Sequence, residues 1–426
     1  MIGLLCISML VMLIVGVPVA VSLGTASILT LIADSSIPLQ IVPQQMFSAV
    51  NSFSLLCVPF FLLAGTLMEE GGLTDKLVDF ANALIGWLKC GLVYVSVLVG
   101  MLLGGVSGSS AADTAALSSV MIPAMERNGY KRNFSAALQA SSGAIGVIIP
   151  PSIPMIIMGG ITGASIDKLF IGGILPGILV GLLLMIAGRL SCAKQHMGET
   201  DLKPFSLKEL WRSFKQAILP LLTPVIIMGG IIGGVFTATE ASVVAAIYTF
   251  IIGFFVYKKI SIKRLLAILV ETGEKTAQVM FVVSAATAFS WLLSAYNIPK
   301  MAAEFFYSLS TSPAIIMFIM MFIFWLLAMF IDETPLIIML LPVMLPIATG
   351  VGIHPIVFCI MIAINTGLGA IMPPVGTAVF VASASGKLPP SETIKQIFPF
   401  VGAYIVCMVI ITAFPSLVTY LPSVVG

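Results

Sequence analysis

Charge is what this sequence is shortest of. Only 9% of its 426 residues are Asp, Glu, Lys or Arg, against roughly 25% in ordinary globular domains. Hydrophobic residues make up 59%, and apolar runs long enough to cross a bilayer recur from end to end. That combination excludes a soluble globular chain and leaves no room for a soluble domain between the runs. Histidine is almost missing, with only His196 and His354, which removes the usual general base and leaves little for a transition-metal site. The six cysteines, at 6, 57, 90, 192, 359 and 407, include no CxxC pair. They read as separate packing residues rather than a disulfide framework. The first run has no basic n-region and no well-placed small-residue cleavage site, so it reads as mature membrane segment.

Hydropathy places spans at 2–33, 50–68, 134–164, 170–190, 217–235, 239–257, 276–296, 355–384 and 395–420. Two further runs, 89–126 and 313–349, are each long enough for two short helices but are interrupted by "SGSSAADT" and "DETP". Backbone that leaves the helix at membrane depth survives only against protein or a water-filled cavity. Both runs therefore read as re-entrant hairpins with inward-facing tips. Segments 72–89 and 262–275 mix charge with apolar residues and read as interfacial amphipathic helices. Basic residues gather at Arg127, Lys131 and Arg132, from Arg189 through Lys215, and at Lys258, Lys259, Lys263 and Arg264. The positive-inside rule puts them in the cytoplasm, so the first hairpin opens inward and the second outward. Gly16 and Pro18 leave the first run readable as one span or two, and the side of the N-terminus open with it.

The chain repeats itself. One constant shift, which lays Val120 on Val343, puts "VMIPAMERNGY" over "VMLPIATGVGI" and "SSGAIGVIIPPSIP" over "INTGLGAIMPPVGT". The hairpin tips overlap under the same shift, Ser109 over Asp332 and Ser110 over Glu333. Five spans and a hairpin per half invert the second half, an arrangement typical of secondary transporters with a midplane site. The fold class expected is an all-α polytopic membrane protein with an inverted-topology repeat, two re-entrant helical hairpins and two broken helices. The breaks are at Pro150-Pro151 and Pro373-Pro374, because proline removes a backbone donor and clashes with the preceding turn. Broken ends offer free carbonyls and N–H groups near the hairpin tips.

Sodium takes oxygen ligands, as calcium does. One candidate cage is Ser107, Gly108, Ser109 and Ser110 with Ser142, Gly143 and Gly146; the other is Asp332, Glu333 and Thr334 with Asn365, Thr366 and Gly369. A substrate carboxylate suits the half-helix starts at Pro150, Pro151 and Ser152 and at Pro373, Pro374 and Thr377, with Ser110 and Asp332 at the tips. No organic cofactor is expected. Asp113, Asp332, Glu333 and Glu240 are acids within or beside apolar runs, hence functional candidates; Glu240, after "FTAT", reads more simply as a helix-start residue. The bland readings are a small-residue packing surface for the tip and mere kinks for the prolines. The matching features in both halves weigh against them. Gly105 to Gly108 also reads G-x-S-G, as in intramembrane serine proteases, but no base is placed for Ser107. A stand-alone ion-coupled carrier or channel is a further alternative.

The stretches "GGVSGSSAADTAALSSVMIPAM", "IIPPSIPMII", "GGVFTATEASVVAAIY" and "MPPVGTAVFVASA" resemble the large membrane subunit of tripartite ATP-independent periplasmic (TRAP) transporters. The resemblance covers essentially the whole chain. It implies an elevator-type, sodium-coupled importer of an organic acid, of the C4-dicarboxylate or sialic acid class, in a bacterial inner membrane. It also implies two partners, a small four-helix membrane subunit and a periplasmic substrate-binding protein. On that pattern 89–164 and 313–386 form the transport domain, each a hairpin and a broken helix. The scaffold is then 1–88, 165–312 and the C-terminal span at 387–426.

Overall fold

The computed structural model describes residues 1–34, 36–198 and 204–425; residues 199–203, within the basic loop, lie outside the described residues. Among the described residues all regular structure is helical. In chain order the α-helices are α1 (Ile2–Ile14), α2 (Val19–Ala33), α3 (Ile41–Val50), α4 (Cys57–Glu70), α5 (Leu73–Ile85), α6 (Gly91–Ser107), α7 (Ser110–Arg127), α8 (Arg132–Gly143), α9 (Ile153–Thr162) and α10 (Ile166–Lys194). They continue as α11 (Leu207–Ile232), α12 (Ala238–Ile251), α13 (Ile262–Ala295), α14 (Ile298–Leu309), α15 (Pro313–Ala328), α16 (Glu333–Gly350), α17 (Pro355–Ala370), α18 (Thr377–Ser385), α19 (Pro390–Ala413) and α20 (Ser416–Val425). Seven helical stretches among the described residues are long and apolar enough to cross a membrane.

The interruptions fall where the polar and proline signals put them. Helices α6 and α7 form the first hairpin around Gly108, which sits at φ +62° in the left-handed region that glycine tolerates. Helices α15 and α16 form the second. The broken helices are α8 with α9 and α17 with α18, each parted at its Pro-Pro pair. The shift that relates the halves in sequence carries over to element boundaries. It takes both ends of α7 onto both ends of α16, 110 onto 333 and 127 onto 350, and the start of α8 onto the start of α17, 132 onto 355.

One open reading is settled and three expectations change. The first run is two short helices packed on each other, parted at Gly16 (φ +85°) and Pro18. The C-terminal run also divides, at Pro415, into α19 and α20. Residues 262–275 are not a separate interfacial helix but the first part of α13, whose 34 residues run unbroken. Its charges are engaged at one end: Arg264 binds Glu70 of α4 at 2.7 Å and Glu271 at 2.8 Å. The amphipathic counterpart of α5 is instead α14, in the equivalent place before the second hairpin. Finally, Cys90 and Cys192 are not isolated; their sulfurs meet as a disulfide pair joining the start of α6 to the end of α10.

Packing sorts the helices into two groups. In one, α1 lies on α2, α2 and α3 lie on α13, α4 lies on α12, and α11 lies on α5 and α12. In the other, α10 and α19 lie on each other, α10 also against α6, α9 and α17, and α19 against α8, α17 and α18. Lipid supplies no hydrophobic drive between helices, so close approach through small residues matters more than in water. Helix α10 shows this with Gly173, Gly177 and Gly181, each of which leaves space filled by Met155, Ile149 and Met101 respectively. Contacts of α13 with α16 and of α4 and α5 with α6 join the groups. Polar contacts between Lys131 and Gln195, Lys76 and Gln216, and Tyr257 and Gln216 gather the basic segments at one end of the bundle.

Candidate functional site

Each hairpin tip meets the break of its own half's helix. The Gly108 carbonyl accepts from Ile153 N–H at 3.4 Å, and in the second half the Met329 carbonyl accepts from Val375 N–H at 3.2 Å. A side chain on Gly108 would run into Pro151 and Ser152, so glycine is needed for this approach as well as for the turn.

In the first half, Ser107 donates its hydroxyl to Asp113 Oδ1 at 2.5 Å and its Oγ accepts from Ser109 N–H at 3.2 Å. Ser109 in turn caps α7, accepting from Ala112 N–H. Ser110 and Asp113 are buried, each 3% exposed. The other carboxylate oxygen, Asp113 Oδ2, has no partner and lies over Gly146, where any Cβ would collide with it. Thr114 Oγ1 and Ser142 Oγ are also buried and unpartnered, and Gly143 is the glycine that lets Thr114 in. Buried polar atoms are nearly always hydrogen-bonded. Three oxygens, a carboxylate's and two hydroxyls', are thus left without partners around the end of α8, where it meets α6 and α7. Ser141 contributes none, because its hydroxyl donates to the Ala137 carbonyl at 2.8 Å and its own carbonyl accepts from the Tyr404 hydroxyl at 3.0 Å.

In the second half, Asp332, Glu333, Thr366, Gly369 and Thr377 line one cavity of about 20 Å³, room for a single water-sized occupant. Glu333 Oε2 is unpartnered, and so is Asn365 Oδ1, whose amide donates to the Met321 carbonyl at 2.7 Å. Thr366 donates to the Ala363 carbonyl at 2.8 Å. Thr334 is half-buried and does not line the cavity.

The two half-helix starts differ. Ser152 is fully buried, its hydroxyl donating to the Val147 carbonyl at 2.6 Å while accepting from Met155 N–H, and Pro150 and Pro151 are buried with it. Pro373 and Thr377 are half-buried and Pro374 is exposed, so the start of α18 is the more accessible. Glu240 is a capping residue: its carboxylate accepts from Thr237 N–H at 2.8 Å, and Thr237 Oγ1 accepts from Glu240 N–H. Neither histidine hydrogen-bonds Ser107 among the described residues, and His354 Nδ1 instead accepts from Ile356 N–H.

Two polar residues beside the cages are absent from the sequence-based set, Thr114 and Gln139. Thr114 lies one turn after Ser110, on the same helix face. Gln139 donates to Ser96 Oγ at 3.0 Å and keeps a buried, unpartnered Oε1.

Two hairpins meeting two broken helices, with acceptor oxygens left over at each crossing, define an all-α membrane transporter fold. The solved structure of the Alcanivorax borkumensis YdaH transporter has the same fold, with a TM-score of 0.66 over 96% of this chain and 97% of that one at 12% identity. The chain belongs to the tripartite ATP-independent periplasmic transporter family, DctM component, which its residues 6–417 match. It is 36% identical to the C4-dicarboxylate TRAP transporter large permease protein of Vibrio cholerae, over 99% of this chain and 97% of that protein. To the sialic acid TRAP transporter large permease protein of the same organism it is 34% identical, over 96% and 95%.

Proposed function

We propose that this large permease imports an organic acid, of the C4-dicarboxylate or sialic acid class, together with sodium across a bacterial inner membrane. One observation carries the reading. Ser142 and Asn365 correspond in the internal repeat, at the same position of the two broken helices, and each keeps a buried oxygen without a partner. Leaving such oxygens bare costs about 1–3 kcal/mol apiece, and a cation that takes oxygen ligands removes the cost. Asp113 and Thr114 complete the first cage; Glu333, Thr366 and Gly369, with Asp332 at the rim, complete the second. Bound sodium next to Asp332 and Glu333 offsets their charge, so that an anionic substrate can approach the N–H groups at the start of α18. The ion thus comes first and the acid second.

The halves are taken as inverted, with the basic end of the bundle in the cytoplasm. An elevator motion then carries the hairpins and broken helices, and with them α10 and α19, past the group built on α4, α12 and α13. This moving unit is larger than the sequence-based division, which placed 165–312 and 387–426 with the scaffold. A small membrane subunit and a periplasmic binding protein complete the system, as membership of a tripartite family supports.

The test is uptake into proteoliposomes containing both membrane subunits, with the binding protein added outside. Uptake should need a sodium gradient, and Ser142→Ala and Asn365→Ala should each raise the half-saturating sodium concentration by about fivefold or more. Sodium-independent uptake refutes the coupling. Uptake that persists with the binding protein omitted favours a stand-alone carrier.

A further inference from the structure

The Ser107–Asp113 hydrogen bond has two sides. On one lies the first cage, where Asp113 Oδ2 faces Gly146. On the other is a separate cavity of about 20 Å³, lined by Gly65 and Glu69 of α4, Thr74 of α5, and Ser107 and Asp113 of the hairpin. Gly65 closes its flank by direct contact: a Cβ there would stand 3.0 Å from Ser107 Cβ and 3.1 Å from its Cα.

Two features of the lining are unexplained by packing. Thr74 is only 5% exposed, and its hydroxyl has no partner. Glu69 is exposed at the cavity's edge and forms no ion pair among the described residues, although its neighbour Glu70 is held by Arg264 at 2.7 Å. Arg264 and Lys275 are within electrostatic range of Glu69, but Arg264 is already shared between Glu70 and Glu271. A water-sized space thus has a buried hydroxyl without a partner, an unpaired carboxylate at its edge, and the Ser107–Asp113 pair as the wall it shares with the cage.

We infer that this cavity is an antechamber for one sodium ion, a station between the first cage and the basic end of the bundle, with Glu69 and Thr74 as its own ligands. The inference rests on the sodium-coupled reading and adds residues outside both cages. Its oxygens come from two bodies, α4 and α5 on one side and the hairpin on the other. The station exists only while those bodies are apposed as they are here. An ion bound there favours this arrangement over any in which the hairpin has slid away, by the difference in its affinity for the two. Release of the ion and departure of the hairpin are then linked.

The experiment is equilibrium binding of radioactive sodium to the complete two-subunit permease in nanodiscs. Glu69→Gln keeps the shape of a side chain at the cavity edge, and Thr74→Val is close to isosteric, so folding does not confound the result. Each should weaken one class of sodium site by about fivefold or more, while Asn365→Ala weakens another. Unchanged sodium count and affinity in both variants, with Ser142→Ala and Asn365→Ala still impaired, overturns the antechamber and leaves the coupling intact. The same holds if the variants lose only proton release on sodium addition, which makes the occupant a proton. No sodium binding by the unaltered protein overturns the coupling itself.

Discussion

Gly146→Ala tests whether Asp113 is held where the first cage needs it. An added Cβ would collide with Asp113 Oδ2, and it would lie 3.2 Å from Asp113 Cγ and 3.5 Å from Gly104 Cα. The carboxylate cannot simply draw back, because Oδ1 is bonded to Ser107 at 2.5 Å. It has to swing out of the cage, giving up a hydrogen bond to a charged group worth about 1.5–3 kcal/mol. Losing the carboxylate as a ligand on the same scale of about 1.5–3 kcal/mol weakens sodium binding by roughly tenfold to a hundredfold, at about 1.4 kcal/mol per tenfold. The assay is the sodium dependence of uptake in proteoliposomes, in the variant, in Asp113→Ala and in the double variant. Once Asp113 is truncated there is nothing for the new methyl to strike, so Gly146→Ala should add less than about 0.5 kcal/mol on that background. An unchanged half-saturating sodium concentration in the single variant, or full additivity in the double, refutes the reasoning.

Three other outcomes follow. Tyr404→Phe should lower stability by about 1–2 kcal/mol, because the fully buried hydroxyl donates to the Ser141 carbonyl at 3.0 Å; an unchanged thermal transition in detergent contradicts this. Glu240→Gln should leave the sodium dependence of uptake as it was, since its carboxylate serves the start of α12; a shifted dependence would return Glu240 to the ion path. Just beyond the ends of α2 and α13, the Ser36 hydroxyl and N–H and then the Tyr296 hydroxyl hold the Asp34 carboxyl below the usual range, while burial first, and then Asp34, pushes Tyr296 up to about 12. A lowered carboxyl stabilises the fold above its ordinary range and ceases to as pH falls through the lowered value. Hydrogen exchange at the end of α2 should therefore quicken on acidification, and less so in Tyr296→Phe, where an equal response would deny the tie.

Features that break a pattern locally are legible in the sequence. "SGSSAADT" and "DETP" interrupt apolar runs and are hairpin tips; the two Pro-Pro pairs interrupt helices and are breaks. Features that depend on a distant partner are not. Lys263, Arg264, Glu271, Glu274 and Lys275 look like the polar face of an interfacial helix, whereas Arg264 and Glu271 form a network with Glu70 of another element. Cys90 and Cys192 are 102 residues apart, and no local spacing announces such a pair. The oxygens of Thr114 and Gln139 are unpartnered only because of what packs around them.

The amphipathic helix of the second half is misplaced by charge density, although the sequence holds the means to find it. The shift that aligns the prolines carries 73–85 onto 296–308, which overlaps α14 at Ile298–Leu309. Charge density points to 262–275 instead, because α14 carries only Lys300 and Glu304. Helix α10 makes the same point about packing. Hydropathy treats it as one more span and says nothing of its neighbours, so its place beside the hairpin and broken helix is invisible on that scale. Its glycines at 173, 177 and 181 recur every four residues and form one stripe. That stripe is where Met155, Ile149 and Met101 of the first broken helix and hairpin come closest. In a membrane, where apolar surface cannot choose between lipid and protein, the small residues rather than the large ones tell which helices pack closely together.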